Sequence, residues 1–152
     1  CALGLAEIDA MGNVNVSKFH GRVTGPGGFI DLAQHTKKLI LMGTFTAGGL
    51  REHCEGGRLV IDREGKYQKF KTDIEQVTFS GDYAAAHGQH VLVVTERAVF
   101  RLTPQGLMLT EIAPGVDLER DILSQMEFRP LIADDLQLMD GRIFQPNPMG
   151  LS

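Results

Sequence analysis

Apolar residues in this chain come in short blocks, and Gly, Pro, Asn or Asp interrupts them every few positions. That spacing predicts many short strands and few helices. Residues 2–9 read as a buried strand, and Met11-Gly12-Asn13 as a turn, since Gly and Asn tolerate left-handed geometry. Residues 14–17 read as a short strand and residues 29–36 as a short helix or turn. Residues 38–46 open with Lys38-Leu39-Ile40-Leu41-Met42, a near-continuous apolar run that predicts a central strand covered on both faces. Ala47-Gly48-Gly49 breaks it. Residues 58–62 and 67–70 flank Arg63-Glu64-Gly65-Lys66 as a predicted hairpin, and residues 75–79 read as another strand. Ser80-Gly81-Asp82 is a turn that leads into a short helical or irregular passage over 82–87. Residues 90–95, 98–103 and 106–112 read as three consecutive strands, the last two joined by the tight turn Thr103-Pro104-Gln105-Gly106. The clearest helix lies over 117–126, where Leu118, Ile122 and Met126 repeat at helical spacing behind an acidic first turn. Residues 130–152, with Pro130, Pro146 and Pro148, read as a tail that wraps the surface. The sum is one strand-rich α/β domain.

Composition narrows the function. The chain has 152 residues, 43% hydrophobic and 22% charged, enough for one domain with a real core. A net charge of -4 without a basic run argues against nucleic acid. No apolar run approaches the length of a membrane helix, and no signal peptide is visible, so the expected compartment is the cytoplasm. Cys1 and Cys54 form no CxxC pair and the five histidines do not gather around them, so no metal site and two reduced thiols are expected. Cys54 stands among Glu52, His53 and Glu55, which disfavours a thiolate. No Ser-His-Asp or Cys-His pattern is readable. Cys1 to Asp9 reads as a strand already under way with no initiator Met, and the expectation is that residues 1–152 are the C-terminal part of something longer.

The densest candidate is Gly25-Pro26-Gly27-Gly28, directly before the amphipathic stretch that starts at Phe29. Glycine is costly to order, so three in four positions point to φ > 0 or to a close approach of backbone to something. Such a turn can aim bare N–H groups at a carboxylate, a thioester oxygen or a phosphate. The plain alternative is a tight turn without a ligand. Glu7 lies in an apolar strand and reads as structural. Glu96, beside Arg97, reads as a paired structural carboxylate, and Glu111 as a holder of the turn before the last helix. Asn13 and Asn15 could orient a substrate carboxylate, though turn chemistry accounts for Asn13. Thr44 and Thr46 end the central strand, where ligands of α/β sheets often bind. His87 and His90 are three apart with no obvious acid partner, and all five histidines read as ordinary.

Six segments in order carry a family resemblance. They are Gly4-Leu5-Ala6-Glu7-Ile8-Asp9, Gly12-Asn13-Val14-Asn15-Val16, Gly25-Pro26-Gly27-Gly28-Phe29-Ile30-Asp31, Gly43-Thr44-Phe45-Thr46-Ala47-Gly48-Gly49, Thr95-Glu96-Arg97-Ala98-Val99-Phe100 and Glu111-Ile112-Ala113-Pro114-Gly115-Val116-Asp117-Leu118. With Leu138-Met139-Asp140 they span nearly the whole chain, which resembles the family I CoA-transferases, most of all the single-chain acetate/propionate type. The resemblance implies an α/β fold shared with some sugar-phosphate isomerases. It implies transfer of CoA from a short-chain acyl-CoA to a free carboxylic acid through a glutamyl-CoA thioester. It implies no metal, no cofactor beyond CoA as substrate, and an oligomer. The family's nucleophilic glutamate lies upstream of the Gly-Leu-Ala-Glu-Ile-Asp segment, so no catalytic residue is expected in this chain and the remaining N-terminal part of the enzyme is its expected partner. The matching Gly27 and Gly28 amides would face the reacting carbonyl, with Gly25 shaping the substrate-binding loop. Two other readings stand beside this one: an inactive fragment or binding module, and an acyl-CoA hydrolase on the same scaffold.

Overall fold

A computed structural model describes residues 1–151. Short apolar blocks give short strands. β1 (Ala2–Gly4), β2 (Glu7–Ile8), β3 (Val14–Asn15), β4 (Lys18–Phe19) and β5 (Arg22–Val23) precede α1 (Phe29–His35). β6 (Lys38–Met42), β7 (Thr46–Ala47), β8 (Arg51–Glu55), β9 (Arg58–Arg63) and β10 (Tyr67–Gln68) lead to α2 (Gly81–Ala86). β11 (His90–Val94), β12 (Ala98–Thr103) and β13 (Gly106–Ile112) follow, and β14 (Leu131–Leu138) comes last. The main sheet runs β1-β6-β11-β12-β13-β14. β1, β6 and β11 are mutually parallel, β12 and β13 turn back antiparallel, and β14 is parallel to β13.

One face of this sheet builds the core. Leu39 and Leu41 of β6, Val93 of β11, Phe100 of β12 and Leu109 of β13 are all closed to solvent. They join Ile8, Val14, Phe45, Phe70, Ile122 and the inner faces of α1 and α2 in one cluster. At its centre Phe70 stacks 4.5 Å from Phe45 and packs 5.0 Å from Phe100. A smaller cluster of Leu59, Val99, Ala113, Met139 and Phe144 fixes β9 and the last turn.

The α/β class and the three strands between 90 and 112 match the sequence reading; several elements differ. Residues 2–9 are not one strand. The Leu5 amide closes on the Met42 carbonyl at 2.8 Å, and the chain then leaves the sheet for the β2–β3 hairpin. The 14–17 strand stops at Asn15, and an unanticipated hairpin, β4–β5, turns through His20 and Gly21 at φ 51° and 73°. β6 ends at Met42, and only one of its faces is covered: Ile40 and Met42 are 36% and 48% exposed. The 58–70 hairpin is absent. β9 pairs instead with β8 through Gly56-Gly57, whose positive φ angles of 57° and 77° suit a tight hairpin turn, while β10 pairs with β7. Residues 75–79 make a single bridge, Phe79 to Val14. The 117–126 helix is a π turn (Leu118–Ile122) followed by a 3-10 turn (Leu123–Gln125). The Asp117 and Asp121 carboxylates take the Arg120 and Asp117 amides at 2.7 and 2.8 Å, and the Ser124 hydroxyl competes for the Arg120 carbonyl. The tail does not only wrap the surface, since β14 extends the main sheet.

Gly81 shows how tightly the turns meet. Its amide donates to Asn13 Oδ1 at 2.9 Å, and a Cβ there would stand 2.0 Å from the Met11 carbonyl oxygen. Backbone cannot yield as a flexible side chain can, so Gly81→Ala is expected to cost about 1–3 kcal/mol. The urea midpoint should fall at unchanged m-value, and an unshifted midpoint would refute the close packing of this turn.

Candidate functional site

Parallel pairing puts three carboxyl ends side by side. Gly4 of β1 is opposite Met42 of β6, and Met42 is opposite Val94 of β11. The segments that follow, from Leu5, Gly43 and Thr95, therefore leave the sheet at one edge. Ligands of open α/β sheets bind outside this edge. Here it carries a cleft of about 690 Å³, whose walls include Leu5, Ala6, Glu7, Phe19, Lys66 and Lys69.

A buried ionic cluster meets the cleft's lining at Gly65. The Arg97 side chain is fully buried. Its Nε donates to Glu96 at 2.6 Å, and its terminal nitrogens reach Glu64 and the Asp121 carbonyl, the latter at 3.0 Å. The guanidinium lies 5.0 Å above the Phe45 ring. Glu96 also accepts the Phe45 amide at 2.8 Å. Glu64 accepts the Thr46 hydroxyl at 2.8 Å, and that hydroxyl accepts the Gly65 amide at 3.0 Å. One guanidinium thus ties together four separate segments. The paired, structural reading of Glu96 agrees with this; the role of Glu64, inside a turn, was not legible in the sequence.

Lys69 stands in the cleft wall. Its Nζ donates to the Leu5 carbonyl at 3.1 Å. Gly43 leaves room for it, because a Cβ at that position would stand 3.0 Å from Nζ. Burial pushes the Lys69 ammonium below its ordinary pKa, and the nearby Glu96 charge opposes that in part. Glu7 also lines the cleft, where its carboxylate accepts the Asn15 side-chain amide at 2.7 Å. Asn15 is buried and bends the chain into β4, with Nδ2 on the Lys18 carbonyl at 2.6 Å and Oδ1 on the Ser17 and Lys18 amides at 3.1 Å. Asn13 serves the turn, donating to Asp9 at 2.9 Å. Thr46 is spent on Glu64, Thr44 is exposed, and Glu111 sits within β13.

The glycine loop lies beside the cleft rather than in its wall. Phe19 and His20 of the β4–β5 hairpin line the cleft, and the same hairpin leads on to Gly25. Gly25 and Gly27 have φ 82° and 54°, so their glycines are explained by geometry. Gly28 is different. It has φ -84°, and its Cβ would meet nothing nearer than a Leu32 methyl at 3.9 Å. The fold does not require glycine there. All three are exposed, and among the described residues the Gly27 and Gly28 amides meet no acceptor. No group of three His, Cys, Asp or Glu side chains suited to a metal occurs among the described residues, and Cys1 and Cys54 are free and exposed. Among the same residues no helix is long and apolar enough to cross a membrane.

Over nearly its whole length the chain is similar to CoA-transferases. Acetate CoA-transferase YdiF of Escherichia coli K12 is 49% identical over 150 residues, 99% of this chain. Caffeate CoA-transferase of Acetobacterium woodii is 48% identical over 98% of it. The crystal structure of the YdiF apoenzyme from E. coli O157:H7 superposes over 100% of the chain with a TM-score of 0.97. The chain spans 28% and 29% of the length of the two curated relatives, and 30% of the solved chain. No family model matches the sequence.

Proposed function

We propose that this chain forms part of an enzyme that moves CoA from a short-chain acyl-CoA, such as acetyl- or propionyl-CoA, to a free carboxylic acid. The 49% identity to acetate CoA-transferase YdiF, held across 99% of the chain, carries the reading. The YdiF protein of E. coli O157:H7 has also been solved as a thioester complex with CoA. In the proposed reaction a glutamate carboxylate outside these 152 residues attacks the thioester carbonyl. The C–S bond breaks, CoA leaves as a thiolate, and an acyl-glutamyl anhydride forms. The thiolate then attacks the glutamyl carbonyl and releases the donor acid, leaving a glutamyl-CoA thioester. The acceptor acid reverses both steps. The free amides of Gly27 and Gly28 suit a developing oxyanion, and Gly25 sets the loop's course. A nucleophile outside the chain accords with its own carboxylates: Glu64 and Glu96 are engaged by Arg97, and Glu7 by Asn15. The working protein in this reading is an oligomer in the cytoplasm that needs CoA only as substrate.

Transfer and hydrolysis part in one assay. The full-length polypeptide, its intact mass measured first, is given acetyl-CoA with and without propionate. The expected product is propionyl-CoA, with little free CoA when no acid is added. Free CoA released at equal rates in both would establish a hydrolase. No turnover at all would favour the inactive-module reading.

A further inference from the structure

We propose that Lys69 is the anchor for the acceptor's carboxylate, an inference that rests on the transferase reading above. The ammonium sits where the carboxyl ends of β1 and β6 meet, held by the Leu5 carbonyl at 3.1 Å in the space that Gly43 leaves open. That contact uses one of its three donors. Among the described residues Lys69 has no ion-pair partner, whereas its neighbour Lys71 is paired with Glu127. The nearest acid that acts on it, Glu96, is committed to Arg97 and the Phe45 amide. Glu7, in the same cleft, is held by Asn15. A half-buried ammonium that no carboxylate touches is costly, and an anion in direct contact lowers that cost.

The site selects a small carboxylate over the phosphates of CoA. Lys69 is recessed, with the apolar side chains of Leu5, Ala6 and Phe19 in the same cleft to receive a short acyl tail. The exposed Lys66 is better placed for a large, hydrated phosphate. The acyl-CoA brings a neutral thioester, so Lys69 serves the free acid of either half-reaction, the donor acid on leaving and the acceptor on entering, and is indifferent to the thioester.

The test varies propionate and acetyl-CoA separately in the full-length polypeptide. Lys69→Met is expected to raise the KM for propionate by about 10- to 100-fold, the range for a lost charge-assisted hydrogen bond. The kcat and the KM for acetyl-CoA should change less than about twofold, and Lys69→Arg should restore most of the propionate affinity by keeping the charge. An unchanged KM for propionate would overturn the inference. So would a rise in the KM for acetyl-CoA alone, which would place a CoA phosphate on Lys69. If the wild-type polypeptide transfers no CoA, the transferase reading fails, and the anchor is judged by labelling alone. Propionate should then protect Lys69 of the wild type from reductive methylation, as read by peptide mass spectrometry. Equal labelling with and without propionate would refute the anchor independently of activity.

Discussion

Replacing Arg97 by Met is expected to remove about 3–5 kcal/mol of stability, the range for breaking a buried ion pair from one side. Met keeps most of the packing volume, so the loss measures charge and hydrogen bonds. With the guanidinium gone, Glu96 and Glu64, whose side chains are only 15% and 27% exposed, lose the ion-pair partner they share. The Asp121 carbonyl also loses a donor. Arg97→Lys should recover little, because a point charge cannot reach both carboxylates and the carbonyl as a planar fork does. Urea unfolding of both variants against wild type checks this. A loss below about 1 kcal/mol for Arg97→Met would mean that the cluster contributes no more than an exposed ion pair does.

Gly28→Val should act on chemistry and spare the fold. Its φ of -84° is open to any residue and its Cβ would meet only a Leu32 methyl at 3.9 Å, so the variant should unfold at the wild-type urea concentration. A branched side chain beside the free amide would hold a reacting carbonyl away from it. A displacement of about 1 Å from productive geometry is enough to cost on the order of 10²-fold in rate. A correctly folded variant with unchanged kcat would exclude an oxyanion role for Gly28. At Gly81 glycine is needed for space, whereas at Gly28 space is open, so a Gly28 variant reads chemistry apart from folding.

The parts legible in the sequence were those governed by local pattern. Apolar blocks over 90–112, with Thr103-Pro104-Gln105-Gly106 at the turn, mark β11 to β13 because each strand has at least one covered face. β8 carried no such mark: Arg51-Glu52-His53-Cys54-Glu55 is exposed throughout and is a strand only because β9 pairs with it. The period of Leu118, Ile122 and Met126 did identify a buried side, with Ile122 and Met126 0% and 7% exposed. It could not foresee that side-chain oxygens of Asp117, Asp121 and Ser124 would compete for the backbone and widen the turn. The glycine loop stood out by composition alone. Lys69 did not, since nothing in Gln68-Lys69-Phe70-Lys71 distinguishes one lysine from the other; the register of β1 on β6 sets the strand ends, and the bridge between Phe70 and Ile8 brings Lys69 to them.

The same register governs how the chain must assemble. Ala2 lies beside Ile40, and Ile40 beside Leu92, so the parallel half of the sheet joins residues that are far apart in sequence. Arg97 adds a link to Glu64 across 33 positions. Each such closure gives up chain entropy before its contacts repay it. Refolding is therefore expected on the order of milliseconds to seconds, as in sheet-dominated domains, rather than the microseconds of a helical bundle. Until β1 docks, the Leu5 carbonyl and the space over Gly43 are not together, so the niche for Lys69 forms no earlier than that closure.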